Sequence, residues 1–142
     1  RYAIGDVVSH DKSAMPSVVV KSARDILDVL EVDSRPALVV GIDEAQFFDD
    51  ALPEVCTKLA NRGTRVIVAG LDLDFNGIPF GSMPELLALA EEVTKLHAVC
   101  VETGRSAHFS HKIAGSSDTV ELGEKDKYIP LTRHAFVAAR KK

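Results

Sequence analysis

Two strongly apolar stretches, the continuous PALVVGI at 36–42 and TRVIVAGL at 64–71, apolar from Val66 onward, constrain the fold more than any other feature of the chain. Runs this short, rich in β-branched residues and free of alternation, read as strands buried on both faces, as in a parallel sheet. Between them, DDALPEVCTKLANRG (49–63) reads as a helix that Asp50 can cap, with Pro53 in its first turn and Gly63 at its stop. Upstream, SARDILDVLEV (22–32) puts Ala23, Ile26, Leu27 and Leu30 on one helical face, and Ser22 with Asp25 has the capping-box spacing. Downstream, SMPELLALAEE (82–92) reads as a third helix with Ser82 and Glu85 as its box, and EVTKLHAVCV (92–101) as a third strand. Strands alternating with helices predict an α/β fold, a parallel sheet flanked by helices. DVVSH (6–10) is expected to add a short strand. Past residue 101 the pattern shifts to AHFSHKIAG and DTVELG, which alternate between polar turns and predict a small β-rich appendage. RHAFVAARKK closes the chain as a short basic helix or tail.

The totals agree with one globular domain. The chain has 142 residues, of which 46% are hydrophobic and 27% charged, enough for a core beneath a polar surface. A net charge of −4 argues against a protein that works by gripping nucleic-acid phosphates or an anionic membrane. No apolar run is long enough to span a bilayer, and no secretory signal opens the sequence. Two cysteines, Cys56 and Cys100, make no disulfide framework and suit a reducing compartment, so a cytoplasmic location is expected. The first residue is Arg1 rather than an initiator Met.

The first buried run ends abruptly in charge: VVGIDEAQFFDD, residues 39–50. Ligands of open parallel sheets bind beyond the carboxyl ends of the strands, which is where Asp43 and Glu44 fall. An apolar strand followed by Asp is the Walker B arrangement, in which the carboxylate holds Mg²⁺ through water beside phosphates. The adjacent Glu44 is then free to orient or deprotonate an attacking oxygen. The plainer alternative is that the pair caps the following helix, although Asp49 and Asp50 are better placed for that. DEAQ also occurs as a motif of nucleic-acid-dependent ATPases, a reading at odds with a short acidic chain. After the second run, GLDLDFNGIPFG (70–81) is too apolar for an ordinary solvated loop. Phe75 and Phe80, with Leu71 and Phe47, could wall a pocket for a flat ring, or could be core residues beneath a loop.

IDEAQFF, GLDLDFNGIPFGSMPELLALAEEVTKLHAVC, and DKY with P-L-x-R-H together resemble the type II thymidine kinases across nearly the whole chain. The resemblance implies a P-loop-NTPase-like parallel sheet with flanking helices. Residues 1–100 would form the nucleotide-binding core, without its first strand–phosphate-loop–helix–strand unit. Residues 101–142 would form a small lasso subdomain and tail. It also implies transfer of the ATP γ-phosphate to the 5′-hydroxyl of thymidine or deoxyuridine. By motif position, Glu44 would be the general base and Asp43 the residue that holds Mg²⁺ through water. Arg1, Asp43, Glu44, Ala45 and Gln46 would line the ATP phosphates. Phe47, Leu71, Phe75, Phe80, Ser110 and Tyr128 would surround the nucleoside. Thr119, Val120, Glu121, Leu122 and Gly123 would form the lasso that reads the base edge through its backbone. The resemblance further implies feedback inhibition by thymidine triphosphate and a homo-oligomer, a tetramer or dimer, with neither nucleic acid nor membrane as partner.

The chain departs from the family pattern in three places. No G-x-x-x-x-G-K-S/T phosphate loop occurs in these residues, and its backbone N–H groups and Lys supply most of the grip on ATP. The expectation is that the natural protein carries it; the alternative is a non-catalytic, pseudokinase partner. Family members hold a structural zinc with two C-x-x-C pairs, whose positions here are Cys100, Thr103, Thr132 and Ala135. One thiolate cannot make a four-ligand site, so no zinc is expected. Last, Gly123-Glu124 stands where some members have two glycines, and Thr119 and Glu121 are less apolar than the pattern.

Overall fold

A computed structural model describes residues 3–8, 14–32, 36–113 and 128–141, and has a mixed α/β architecture. The described residues fall into two compact units: one runs to Asp72 and resumes at Phe80–Glu91, and the other joins Leu73–Pro79 to the chain from Glu92 onward.

In the first unit, strands β1 (Ala3–Val8) and β2 (Ala14–Val19) form an antiparallel hairpin in the register Gly5↔Ser17. Its first strand extends the expected one, and its second was not foreseen. Helix α1 (Ala23–Glu31) begins with the expected capping box: Ser22 Oγ accepts the Asp25 N–H at 3.3 Å, and the Asp25 carboxylate accepts the Ser22 N–H at 2.9 Å. Strand β3 (Val39–Ile42) lies parallel to β4 (Arg65–Val68) in the register Ile42↔Val68, and helix α2 (Leu52–Asn61) connects them in sequence. Helix α3 (Met83–Leu89) completes the unit.

Its core joins Ala23 and Ile26 of α1, Ile42 of β3, Leu52, Val55 and Leu59 of α2, and Met83 and Leu86 of α3. Val40, Val66 and Val68 pack against that core from the same face of the strand pair. The opposite face leaves Val39 55% and Ile67 51% exposed. Burial on both faces, expected from the apolar runs, is therefore not seen among the described residues. Helices cover one face, and β3 and β4 are described only with each other as partners.

Two capping expectations are corrected. Asp50 does not cap helix α2: its N-cap is Ala51, without a side-chain cap, and the Asp49 carboxylate just ahead accepts the N–H groups of Ala51 at 3.1 Å and, from α1, of Ala23 at 3.3 Å. A carboxylate one residue earlier can reach both helix starts at once. At α3, Ser82 takes the N-cap position without a side-chain bond, so the Ser82–Glu85 box does not form.

The second unit corrects the third strand. Within 92–101 only β5 (Ala98–Val99) forms a paired strand, and it pairs antiparallel with β6 (Ser106–Ala107) instead of joining β3 and β4. A tight turn sets this pairing, since the Cys100 N–H donates to Arg105 O at 2.7 Å and the Gly104 N–H to Cys100 O at 2.9 Å. The appendage is β-rich as expected: β7 (Phe109–Lys112) pairs antiparallel with β8 (Tyr128–Leu131). The basic tail is helix α4 (Arg133–Ala139), whose N-cap Thr132 accepts the Ala135 N–H at 3.4 Å. Cys100, Ala107, Phe109, Leu131, Ala135 and Phe136 form a separate core, in which the Phe109 and Phe136 rings stack at 4.6 Å.

Residues 73–79 are the loop that the second unit takes from the middle of the chain. Asp74 organises it. Its Oδ1 accepts the N–H groups of Asn76 at 2.8 Å and Ile78 at 2.9 Å, and its own N–H donates to Ile78 O at 2.9 Å. Arg140, just past α4, donates to Asn76 O at 2.7 Å. Partial burial pushes the Asp74 carboxyl up. The Ile78 and Asn76 donors and the Arg140 charge outweigh it and hold the group below its ordinary 3.8.

Two predictions follow from this packing. Leu52→Ala should destabilise the protein by about 3 kcal/mol in denaturant unfolding because it empties a fully buried site, whereas Val32→Ala, 84% exposed, should be near neutral. A carboxyl with a lowered folded pKa stabilises above its unfolded pKa and loses that contribution as pH falls through the folded value. Asp74 should therefore titrate below 3.8 in a carboxyl NMR titration of the folded protein, and Asp74→Asn should erase the corresponding acid-side loss of stability.

Candidate functional site

Just beyond the carboxyl ends of β3 and β4 the backbone is stapled without further sheet. The Ala69 N–H donates to Ile42 O at 2.8 Å, and the Ala45 N–H donates back to Ala69 O at 3.0 Å. Ala45 is thereby fully buried, and the chain turns through a single 3₁₀ turn at Ala45–Phe47. Glu44, the residue between strand and turn, adopts φ 53° and ψ 39°. It is the one non-glycine residue with positive φ among the described residues. A left-handed Glu costs roughly 1 kcal/mol and persists only where its surroundings over-determine it.

Both carboxylates stay exposed. Asp43 Oδ1 accepts the Glu44 N–H at 2.9 Å. Glu44 Oε2 accepts the Gln46 side-chain amide at 2.6 Å. Neither side chain caps α2, so the plainer reading of the acid pair is not borne out; the N-cap of that helix is Ala51, without a side-chain cap, and there the Asp49 carboxylate bonds only the Ala51 N–H.

Gln46 is the buried polar residue of this corner, only 3% exposed. Its other side-chain atom, Oε1, accepts the Leu71 N–H at 3.0 Å, so one carboxamide ties the turn after β3 to the loop after β4. Two glycines make room for it. A Cβ on Gly70 would lie 2.8 Å from Gln46 Oε1 and 3.0 Å from Met83 Sδ; a Cβ on Gly81, at φ +50°, would lie 2.6 Å from the Gln46 carbonyl oxygen. Neither glycine was singled out from sequence, where only the apolar loop around them stood out. Leu71 and Phe47 are exposed, and Phe47 meets Phe80 edge to face at 5.5 Å. Of the expected residues, the first unit thus gathers Asp43, Glu44, Ala45, Gln46, Phe47, Leu71 and Phe80.

The second unit holds the others. Phe75 and Tyr128 lie 6.4 Å apart between ring centroids, and Lys112 Nζ sits 5.8 Å from the Phe75 ring. Lys112, cross-strand from Tyr128, was not anticipated. Ser110 is exposed on β7, opposite Pro130 and two residues from Lys112. Arg1 and the lasso residues Thr119, Val120, Glu121, Leu122 and Gly123 lie outside the described residues.

The positions matched to zinc ligands do converge. Cys100 Sγ lies 4.0 Å from Thr132 Oγ1. Burial pushes the Cys100 thiol up. Hydrogen bonds from the Thr103 hydroxyl and from the backbone N–H groups of Thr132, Glu102 and Thr103 outweigh this and bring it down to about 7. Among the described residues, no three His, Cys, Asp or Glu side chains gather as a metal site, and no helix is long and apolar enough to cross a membrane.

Comparison with known proteins matches this pattern to one family. A family model described as thymidine kinase matches residues 1–136. A thymidine kinase of Bacteroides fragilis is 52% identical over 140 residues, covering 98% of this chain and 68% of that protein. One of Bacteroides thetaiotaomicron is 52% identical over 99% of this chain and 68% of its own length. One of Rhodothermus is 51% identical over 99% of this chain and 64% of its own length. On this evidence the chain belongs to the thymidine kinase family.

Proposed function

We propose that the natural protein carrying this chain transfers the γ-phosphate of ATP to the 5′-hydroxyl of thymidine or deoxyuridine, with Glu44 as general base. The observation that carries this reading is the corner after β3. An exposed glutamate is held in a left-handed conformation at the carboxyl end of a parallel strand pair, and a buried amide bonds one of its oxygens. Relatives named as thymidine kinases along almost the entire chain favour this over a non-catalytic partner.

In the proposed step the 5′-oxygen attacks the γ-phosphorus, the bond to the β–γ bridging oxygen breaks, and ADP leaves. The hydroxyl proton passes to the Glu44 carboxylate. A carboxylate is a weak base, but in a loose phosphoryl-transfer transition state positioning counts for more than basicity. Asp43 presents hard, exposed oxygens one residue before Glu44, a donor set that suits a divalent ion retaining its waters. Such an ion, Mg²⁺ in this reading, supplies neutralisation of phosphate charge when bound. Ala45 and Gln46, with Arg1, are assigned to the phosphate side. Phe47, Leu71, Phe75, Phe80, Ser110 and Tyr128 are assigned to the nucleoside, and residues 119–123 to a lasso reading the base through backbone groups. Residues 1–100 are assigned to a P-loop-type core and 101–142 to the lasso subdomain. Zinc is not part of this reading, because Cys100 is the one thiol at the four matched positions. Inhibition by thymidine triphosphate, a tetrameric or dimeric assembly and a cytoplasmic location belong to the same proposal.

The phosphate-loop motif is not within these residues, so the test uses the natural full-length protein. Glu44→Gln should lower kcat by about 1,000-fold while leaving thymidine affinity within about threefold, because it keeps the shape but not the proton acceptor. Phosphate-transfer kinetics, with calorimetric thymidine binding alongside, check this; near-normal turnover would remove Glu44 from the role.

A further inference from the structure

Gln46 lies beside the proposed base, yet its side chain faces away from solvent. A buried carboxamide is retained at a cost unless its donors and acceptors are met. Here each end has a partner of a different kind. The Nε2 amide donates to Glu44 Oε2 at 2.6 Å, a charge-assisted bond, and Oε1 accepts the Leu71 N–H at 3.0 Å. Close packing fixes the amide. Gly70 and Gly81 approach so closely that a methyl group on either would collide with Gln46, and Met83 closes the Gly70 side. A group held this firmly transmits its position to whatever it bonds. Glu44 itself is exposed on a long side chain and gains nothing from burial to fix its rotamer.

We infer that Gln46 is a positioning residue: its carboxamide aligns the Glu44 carboxylate with the loop after β4, keeping Oε2 as the hydrogen-bonded oxygen and Oε1 as the one that receives the proton. The inference rests on the assignment of Glu44 as general base and adds to it a part for the Gln46 side chain, which works through Glu44, while the phosphate-side assignment of Gln46 concerns its backbone. The Leu71 N–H arm makes the alignment depend on the same loop whose side chains are assigned to the nucleoside. Order in that loop and the aim of the base are then set by one side chain.

Gln46→Glu and Gln46→Met, each alone and combined with Glu44→Gln in the natural full-length protein, separate the possibilities. Gln46→Glu keeps an acceptor for the Leu71 N–H but turns a carboxylate oxygen toward Glu44; Gln46→Met keeps the length and loses both bonds. Either should lower kcat by about 10- to 100-fold with both KM values within about threefold, as expected when a reacting group is misaimed rather than a substrate released. In the Glu44→Gln background the same changes should cost less than about threefold, since the group acted upon is gone. Wild-type turnover in Gln46→Glu, an equal loss in both backgrounds, or a rise in both KM values at constant kcat would overturn the inference. So would failure of both variants to fold by thermal unfolding, which would mark Gln46 as a core residue only. Near-normal turnover of Glu44→Gln alone would point instead to failure of the underlying assignment.

Discussion

Two backbone hydrogen bonds past the ends of a short parallel strand pair govern the first unit. Ala69 N–H to Ile42 O and Ala45 N–H to Ala69 O continue the pairing of β3 and β4 for one more residue each, after the strands have ended. That extra reach buries Ala45 and forces the turn that follows it. The turn in turn drives Glu44 into a left-handed conformation that a glutamate would not choose by itself. With Ala45 fixed, Gln46 falls inside and Asp43 and Glu44 fall outside. Burial and exposure along four successive residues thus trace to where two amide hydrogens go.

The same corner explains the glycines. Gly70 and Gly81 are spaced to admit Gln46, one by lacking a side chain that would strike its amide and the other by approaching its backbone oxygen. Neither is a hinge in this arrangement; each is a space. Phe80 pins the return of the chain: its N–H donates to Asp72 O at 3.0 Å, so the loop that leaves after Asp72 comes back at a fixed point. The excursion between them is ordered by Asp74, whose carboxylate collects two loop N–H groups, and by Arg140, which caps Asn76 O. Local hydrogen bonding, rather than solvation, shapes a segment whose apolar content first marked it as unusual.

In the second unit, the sites matched to metal ligands form a hydrogen-bonded knot. Cys100 receives donors from Thr103 and from the backbone at Glu102, Thr103 and Thr132, while Thr132 also caps α4. One threonine therefore serves a helix start and the neighbourhood of a thiol at once. The stacked Phe109 and Phe136 rings and the buried Leu131 supply the packing that holds the knot together.

Residue patterns alone determined the helices and their rough ends, because amphipathic spacing and the Ser22–Asp25 box are local facts. They also determined that Asp43 and Glu44 follow a strand, since a run of β-branched residues that stops at two acids allows little else. The motifs in 43–47 and 70–80 carried the family as well. Sequence could not show that 92–101 would fold back on 106–107, because apolar content does not name a strand's partner. It could not show which of Asp49 and Asp50 would bond the Ala51 N–H at the start of α2, a matter of about one residue's reach. Above all it put Gln46 among the residues beside the phosphates by motif position and said nothing of its burial. Only tertiary structure buried it, gave its two ends different partners and cleared its space with two glycines far along the chain, because hydrogen-bond satisfaction inside a protein is settled by neighbours in space, not in sequence.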